Sequence, residues 1–384
     1  MNSHPASPGH PRTGQPITAL HLQTYRVPTH SFGQDQPESD GTACWDSTAV
    51  LVAEITAGEH TGLGYAYADP AAAQIARHTL WPLLEGEAVL DTTQHFWAMA
   101  GAVRNLGWPG VAAGAISALD VALHDLKARM LNVPLFRLLG GARKQVMAYG
   151  SGGFTSQSVE QLQQQLGGWA GQGFRAVKMK IGRHPENDLG RVRAARAAIG
   201  DDVALFVDAN GAYSRKQALG LAEQFADLNV RWFEEPVLSD DLAGLRLLRD
   251  RAPGFVQIAA GEYGYTPAYF HAMLAAQAVD TLQADATRCG GVTGFLLAAA
   301  QAQGANVPLS AHTAPALHAS LGAALPNVVN AEYFHDHVRI EALFFEGVPT
   351  LDAGFLCPSE RPGHGLSFKV QDARPYRVSE WRSK

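Results

Sequence analysis

AVKMK at residues 176–180, ALFVD at 204–208 and RWFEE at 231–235 each run a few apolar residues into a charged one. Short apolar runs of this kind, bounded by turn-forming residues, are strands. Between the last two lies KQALGLAEQFADL (216–228), with apolar residues at helical spacing. The alternation continues outward. VMAYG (146–150) and the helical VEQLQQQLGGWAGQG (159–173) come before the block. VQIAA (256–260), TLQAD (281–285), VPLSA (307–311) and NAEYF (330–334) come after it, one strand about every 25 to 30 residues. Strands alternating with helices form a parallel sheet with right-handed crossovers. Eight in a row over about 190 residues predict a closed barrel. An open doubly wound sheet is the alternative, but no GxGxxG or P-loop follows the first strand.

The chain before residue 145 reads differently. ITALHLQTYRVP (17–28) and STAVLVAEITAG (47–58) alternate apolar and polar residues like antiparallel strands. The polar stretch between them, Thr29 to Cys44, is too long for a tight hairpin, and loops of that length are often functional. A helical region runs from about Pro70 to Leu135, clearest in GAISALDVALHDLKARM. Four parts are therefore expected. They are a disordered lead-in (1–16), an α+β unit (17–145), the barrel (146–345) and a weakly periodic segment (346–384) that packs back on the N-terminal unit.

With 384 residues and 46% hydrophobic composition, the chain can bury a full core without disulfides. Net charge is −6, with no block of like charges, which argues against nucleic acid or anionic membrane as partners. Cys44, Cys289 and Cys357 are odd in number and far apart, so neither a disulfide framework nor a thiolate zinc site is indicated. A reducing, cytoplasmic setting follows. The first sixteen residues lack the apolar core of a signal peptide, and no apolar run reaches membrane-span length.

The charged residues fall at the strand ends. Lys178 and Lys180 end the second strand, Asp208 the third, Glu234 and Glu235 the fourth. Glu262 follows the fifth, Asp285 ends the sixth, His312 follows the seventh, and Glu332 lies in the eighth. In a barrel these form one ring around the mouth where active sites are built. A single acid at a strand end is usually a helix cap; a whole ring has no structural reason. Asp208, Glu234 and Glu262, from successive strands, favour a hard cation, Mg²⁺ above all, because zinc prefers nitrogen or sulfur. Adjacent strand residues point to opposite faces, so only one of Glu234 and Glu235 faces the metal. Lys178 and Lys180, two apart, share a face. Two ammonium groups beside each other and a metal are expected to depress each other's pKa, which makes a usable base. Asp285 and His312 lie on neighbouring strands, where a carboxylate fixes the imidazole tautomer. His318, His335 and His337 read as packed or solvated, and the HDH at 335–337 is not counted as a metal motif.

These motifs resemble the mandelate racemase branch of the enolase superfamily. The resemblance spans about residues 17 to 370 and runs through SALDVALHDL, LFRLLGG, VKMKIG, VDANG, WFEEP, AAGE, DATRCGG and SAHTAP. Use of a Lys or His base with one or two Mg²⁺ ions is a known property of that superfamily. The resemblance implies a (β/α)7β modified TIM barrel closed by an α+β capping domain. Two loops, about Thr29–Cys44 and Tyr65–Ala71, would cover the site and set specificity. It further implies Mg²⁺ on Asp208, Glu234 and Glu262, and Lys180 as the base on one face with Lys178 near the substrate carboxylate. His312, paired with Asp285, would serve the other face. Asn210 would contact the substrate hydroxyl and Glu332 the developing enolate. A homo-oligomer, dimer or octamer, is implied as well. The expected reaction is proton abstraction next to the carboxylate of a small molecule. Dehydration of an acid sugar comes first, because the loop THSFGQDQPESDGTAC is polar and suits a hydroxylated chain. Racemisation of a 2-hydroxy acid is the alternative, and a non-catalytic binding protein on the same fold is the third reading.

Overall fold

The structure, a computed structural model, describes residues 14–29 and 37–383. Residues 1–13, most of the expected lead-in, and 30–36, half of the expected polar loop, lie outside the described residues. The N-terminal unit begins with β1 (Ala19–Pro28), the two-residue strands β2 (Glu38–Ser39) and β3 (Cys44–Trp45), β4 (Ser47–Ala57) and β5 (His60–Ala66). β4 pairs antiparallel with β1 and β5. β2 and β3 pair with each other, so the polar loop carries a small hairpin of its own. The helical region is broken. A short irregular helix spans 71–83, and two longer ones span Thr92–Ala102 and Val111–Met130. Gly110 precedes the last at φ 83°, a left-handed conformation that glycine adopts without strain.

Helix Val111–Met130 is buried along nearly all its length against β5. The close approach depends on Gly62 and Gly64. A Cβ on Gly64 would lie 2.0 Å from the Ala118 carbonyl oxygen and 2.5 Å from the Ala122 nitrogen, backbone atoms that cannot turn aside. Gly64→Ala is therefore expected to destabilise the protein by about 2 kcal/mol, as overpacking does. Urea denaturation reads this, and an unchanged midpoint would contradict it.

The barrel follows as β6 (Val146–Gly152), β7 (Ala176–Lys180), β8 (Ala204–Asp208), β9 (Val230–Glu234), β10 (Gln257–Ala260), β11 (Thr281–Ala284), β12 (Leu309–Ala311) and β13 (Val328–Phe334). Neighbours pair in parallel, and β13 pairs back to β6, which closes the sheet and excludes the open alternative. Seven helices, from Val159–Gly171 to Pro315–Ala324, make the crossovers, and His335–Phe344 follows the last strand. β12 starts at Leu309, later than VPLSA implies, because Pro308 has no N–H for the ladder. Side chains alternate across each strand. Tyr149, Ala176, Phe206, Trp232 and Ala259 form a separate buried cluster, with Phe206 and Trp232 stacked at 5.1 Å. Two residues further along the same faces come Lys178, Asp208 and Glu234. The inner aromatic layer is thus the floor of a charged mouth.

The C-terminal segment carries β14 (Phe345–Glu346), β15 (Thr350–Asp352), β16 (Phe355–Cys357), β17 (Ser367–Phe368) and β18 (Arg377–Arg382). β16 pairs with β6 of the barrel, and β18 becomes the edge of the N-terminal sheet beside β1. Asp125 joins the parts. Its buried carboxylate accepts from Leu63 N (2.8 Å), His364 N (2.9 Å) and Arg129 Nε (2.6 Å). Among the described residues no helix is long and apolar enough to cross a membrane.

Candidate active site

The register places the charges abreast. Lys180 pairs with Asp208 across β7–β8, and Asp208 with Glu234 across β8–β9. One oxygen each from Asp208, Glu234 and Glu262 lies within 4.8 Å of the others, all three residues buried. Lys178 Nζ donates to both oxygens of Glu234 (2.8 and 2.7 Å) and lies 2.9 Å from Glu332 Oε1. Lys180 Nζ donates to Asp208 Oδ2 at 2.5 Å. Trp232, rising from the floor, donates its Nε1–H to Glu234 Oε2 at 2.9 Å. An all-oxygen set of three convergent carboxylates, two already drawing ammonium groups, fits a hard divalent cation. Asn210 adjoins it, with its Oδ1 buried and without a partner among the described residues.

On the other side, His312 Nδ1 lies 2.9 Å from Asp285 Oδ2, and its Nε2 lies 3.2 Å from Glu262 and 3.7 Å from Glu332. Asp285 also accepts from Thr287 N and Oγ1. Glu332 is held by Ser151 Oγ (2.6 Å) and Thr313 N (3.0 Å). All nine sequence-predicted residues therefore converge at the C-terminal mouth of the barrel. Lys180, Asn210, Glu262, His312 and Glu332 line a cavity of about 390 Å³. Lys178, Asp208, Glu234 and Asp285 lie just beneath, almost without exposure.

The Glu234–Glu235 choice resolves in geometry. Glu234 joins the triad. Glu235 leaves the strand at φ 36°, and its Oε1 is buried without a partner among the described residues. Burial, then the charges of Glu262 and Asp208, pushes its carboxyl well above the ordinary range. The expected depression of the lysine pair is one beside a metal ion; among the protein's own groups the balance runs the other way. Burial lowers Lys180, and Lys178 pushes it further down, but Asp208 with Glu262 and Glu234 outweighs both and holds it above its ordinary value. Lys178 is likewise raised, because Glu234 and Glu332 overcome burial. Carboxylates, not the second ammonium, dominate each lysine's surroundings. Burial lowers His312 too, yet Glu262, Glu332 and Asp285 bring it up to about 9.

The sequence reading missed several lining residues. Arg26, from β1, and Trp45, from β3, reach the cavity, as do Tyr67–Asp69 after β5. Arg288 joins the two halves of the site, 3.4 Å from Glu262 and 3.7 Å from Asp285. Its position three residues after Asp285 in DATRCGG could have revealed it; Arg26 carries no such signal. The HDH stretch divides. Asp336 pairs with Arg339 and Trp45, while His337 is packed, as expected, and in addition lines the cavity. His318 is packed, bridging Thr313 O and Ala286 N.

A parallel barrel carrying acids on successive strands beneath an α+β cap defines an enolase-type barrel. The sequence agrees. Residues 159–373 match the family described as Enolase C-terminal domain-like, and 39–140 match Mandelate racemase / muconate lactonizing enzyme, N-terminal domain. The chain belongs to this mandelate racemase/muconate lactonizing branch of the enolase superfamily. A 3,6-anhydro-alpha-L-galactonate cycloisomerase of Streptomyces coelicolor is 31% identical over 357 residues, 91% of this chain and 96% of that one. A mandelate racemase/muconate lactonizing enzyme-like protein from Rubrobacter xylanophilus superposes with TM-score 0.91 at 48% identity, covering 94% of this chain and all of that one. The L-talarate dehydratase of Polaromonas sp. JS666, complexed with Mg and L-glucarate, superposes with TM-score 0.87 at 30% identity, over 96% and 99% of the two chains.

Proposed function

We propose that this protein is a Mg²⁺-dependent acid-sugar dehydratase that removes the proton next to a carboxylate and expels the neighbouring hydroxyl. The observation that carries the reading is the placement of Lys180 and His312 at one cavity with the three carboxylates between them. Asp208, Glu234 and Glu262 would hold the ion, which supplies Lewis-acid polarisation of the substrate carboxylate. Lys178, fixed by Glu234 and Glu332, places a positive charge where the enolate's charge develops. Glu332, gripped by Ser151 and Thr313, would have to carry a proton to hydrogen-bond the same oxygens, since an ionised carboxylate only accepts; Lys178, then His312 and Lys180, pull its carboxyl down against burial. With the carboxylates committed to a cation, the lysine pair is left with its mutual repulsion, which brings Lys180 towards use as a base. His312 directs Nδ1–H at Asp285, so Nε2 is the nitrogen that moves a proton. Protonated, it can give that proton to the departing hydroxyl.

Dehydration is favoured over racemisation by the cavity wall, where Asp40, Ser47, Asp69 and Asp336 offer partners to hydroxyls. The test is NMR product analysis in D₂O with a panel of aldonic and aldaric acids. A 2-keto-3-deoxy acid is expected. Only the C2 epimer would make the protein a racemase, and no deuterium entering any acid would make it a non-catalytic relative. The cytoplasmic setting belongs to the same proposal and is supported by three free thiols. So does a homo-oligomer, supported by exposed Trp97 and Leu106 on the cap and read by the native particle's mass.

A further inference from the structure

His337 is set into the cavity wall by three contacts. Ala314 donates its backbone N–H to Nδ1 at 3.2 Å. Tyr67, from the cap, stacks on the ring at 3.3 Å and 9° from parallel. Phe334 meets it edge-on at 5.1 Å. A backbone N–H can only donate, so Nδ1 must be the accepting, unprotonated nitrogen and the ring's hydrogen sits on Nε2. Nε2 has no hydrogen-bond partner among the described residues, and it is not among the atoms sealed from solvent. The residue lines the cavity that holds Lys180 and His312. We infer that His337 is a neutral hydrogen-bond donor that reads one hydroxyl of the substrate chain, at the cap-covered side of the site. The inference rests on the acid-sugar reading above and narrows it.

Two observations support this. Burial pushes the imidazole down to about 3, against the pull of Asp336 and Asp285, so the ring stays neutral near neutrality. The same wall carries Asp69 and Asp336; of the arginines lining the cavity, Arg26 already faces Asp69 at 4.0 Å and Arg288 already faces Glu262 and Asp285. A hydroxyl can accept from Nε2–H and donate to an aspartate. A second carboxylate would meet those acids with its own charge. Asp336 is kept ionised chiefly by its contacts with Glu38 and Arg339, which overcome its burial.

The experiment has two arms, both with the Mg²⁺-loaded full chain. First, ¹⁵N-histidine NMR at neutral pH, with the resonance assigned by its loss in H337Q, should show a neutral Nε2–H tautomer. Its Nε2 signal should shift when the best substrate of the acid panel is added to Lys180→Met. A charged ring, an Nδ1–H tautomer or an unmoved signal would overturn the inference. Second, His337→Phe keeps a flat ring against Tyr67 and removes the donor. KM should rise roughly tenfold, the worth of one good hydrogen bond, with a smaller change in kcat. Among analogues lacking one hydroxyl at a time, one should bind the wild type about tenfold more weakly and be indifferent to the substitution. If every analogue is penalised as much as the parent, or if kcat alone falls, His337 acts only by shaping the Thr313–Ala314 turn and the inference is wrong. Absence of turnover and exchange across the whole panel would instead remove the acid-sugar reading, and the inference with it.

Discussion

Lys180→Met is expected to lower turnover about 10³-fold, within the range that one positioned acid–base group contributes. His312→Asn should do the same, and neither should unfold the protein. Lys180 is buried, but its methylene stem is what the methionine replaces, and the lost partner leaves Asp208 free to take the metal. Asn at 312 can still donate to Asp285, which keeps that carboxylate from being left unpaired. The two variants should differ in what they retain. If each side of the cavity has its own proton carrier, as proposed, the variant lacking Lys180 should still exchange the hydrogen facing His312, and the converse. Circular dichroism and urea midpoints check the fold, and deuterium incorporation checks the faces. Normal turnover in both variants would break the two-sided assignment. A loss of exchange at both faces in each variant would merge the two groups into a single relay.

Much of this site is legible in the chain because barrel strands are short and end at one rim. A residue that closes a strand in the sequence is therefore placed at the mouth, and Lys180, Asp208 and Glu234 fall in register across β7, β8 and β9. The period of two along each strand also puts Lys178 below Lys180 and Trp232 below Glu234, so the floor follows from the same count. Other features depend on tertiary packing. Arg26 belongs to a strand of the N-terminal sheet, and nothing in TYRVP marks it as facing a barrel more than a hundred residues away in sequence. His337 looks like any helix histidine until Ala314 N–H and Tyr67 fix its ring. For the lysine pair, sequence spacing brings the two ammonium groups together but does not count the carboxylates around them. The structure places Glu234 and Glu332 on Lys178 and Asp208 on Lys180. Charge balance in a buried ring is a property of the closed barrel.

The same balance governs the metal. Excess chelator should abolish activity and Mg²⁺ should restore it. Asp208→Asn should weaken Mg²⁺ binding and lower activity by an amount comparable to loss of a base. Three buried carboxylates within 4.8 Å are unstable company without positive charge. Lys178 and Lys180 supply part of it, through Glu234 and Asp208. Removing the Asp208 charge therefore acts twice. It replaces an anionic oxygen at the proposed metal site with a weaker neutral amide, and it leaves the buried Lys180 ammonium without its nearest opposite charge, a loss on the order of 3 kcal/mol for a broken buried pair. The stability readout separates these effects from catalysis. Wild type at an Mg²⁺ concentration a hundred times its Kd should gain about 2.7 kcal/mol. Asp208→Asn should start lower and gain much less at the same concentration. Glu235→Gln, outside the triad and with its carboxyl pushed well up by burial, should respond to Mg²⁺ as the wild type does. An equal Mg²⁺-induced rise in Tm for Asp208→Asn and wild type, or full activity in excess chelator, would remove the ion from the carboxylate triad.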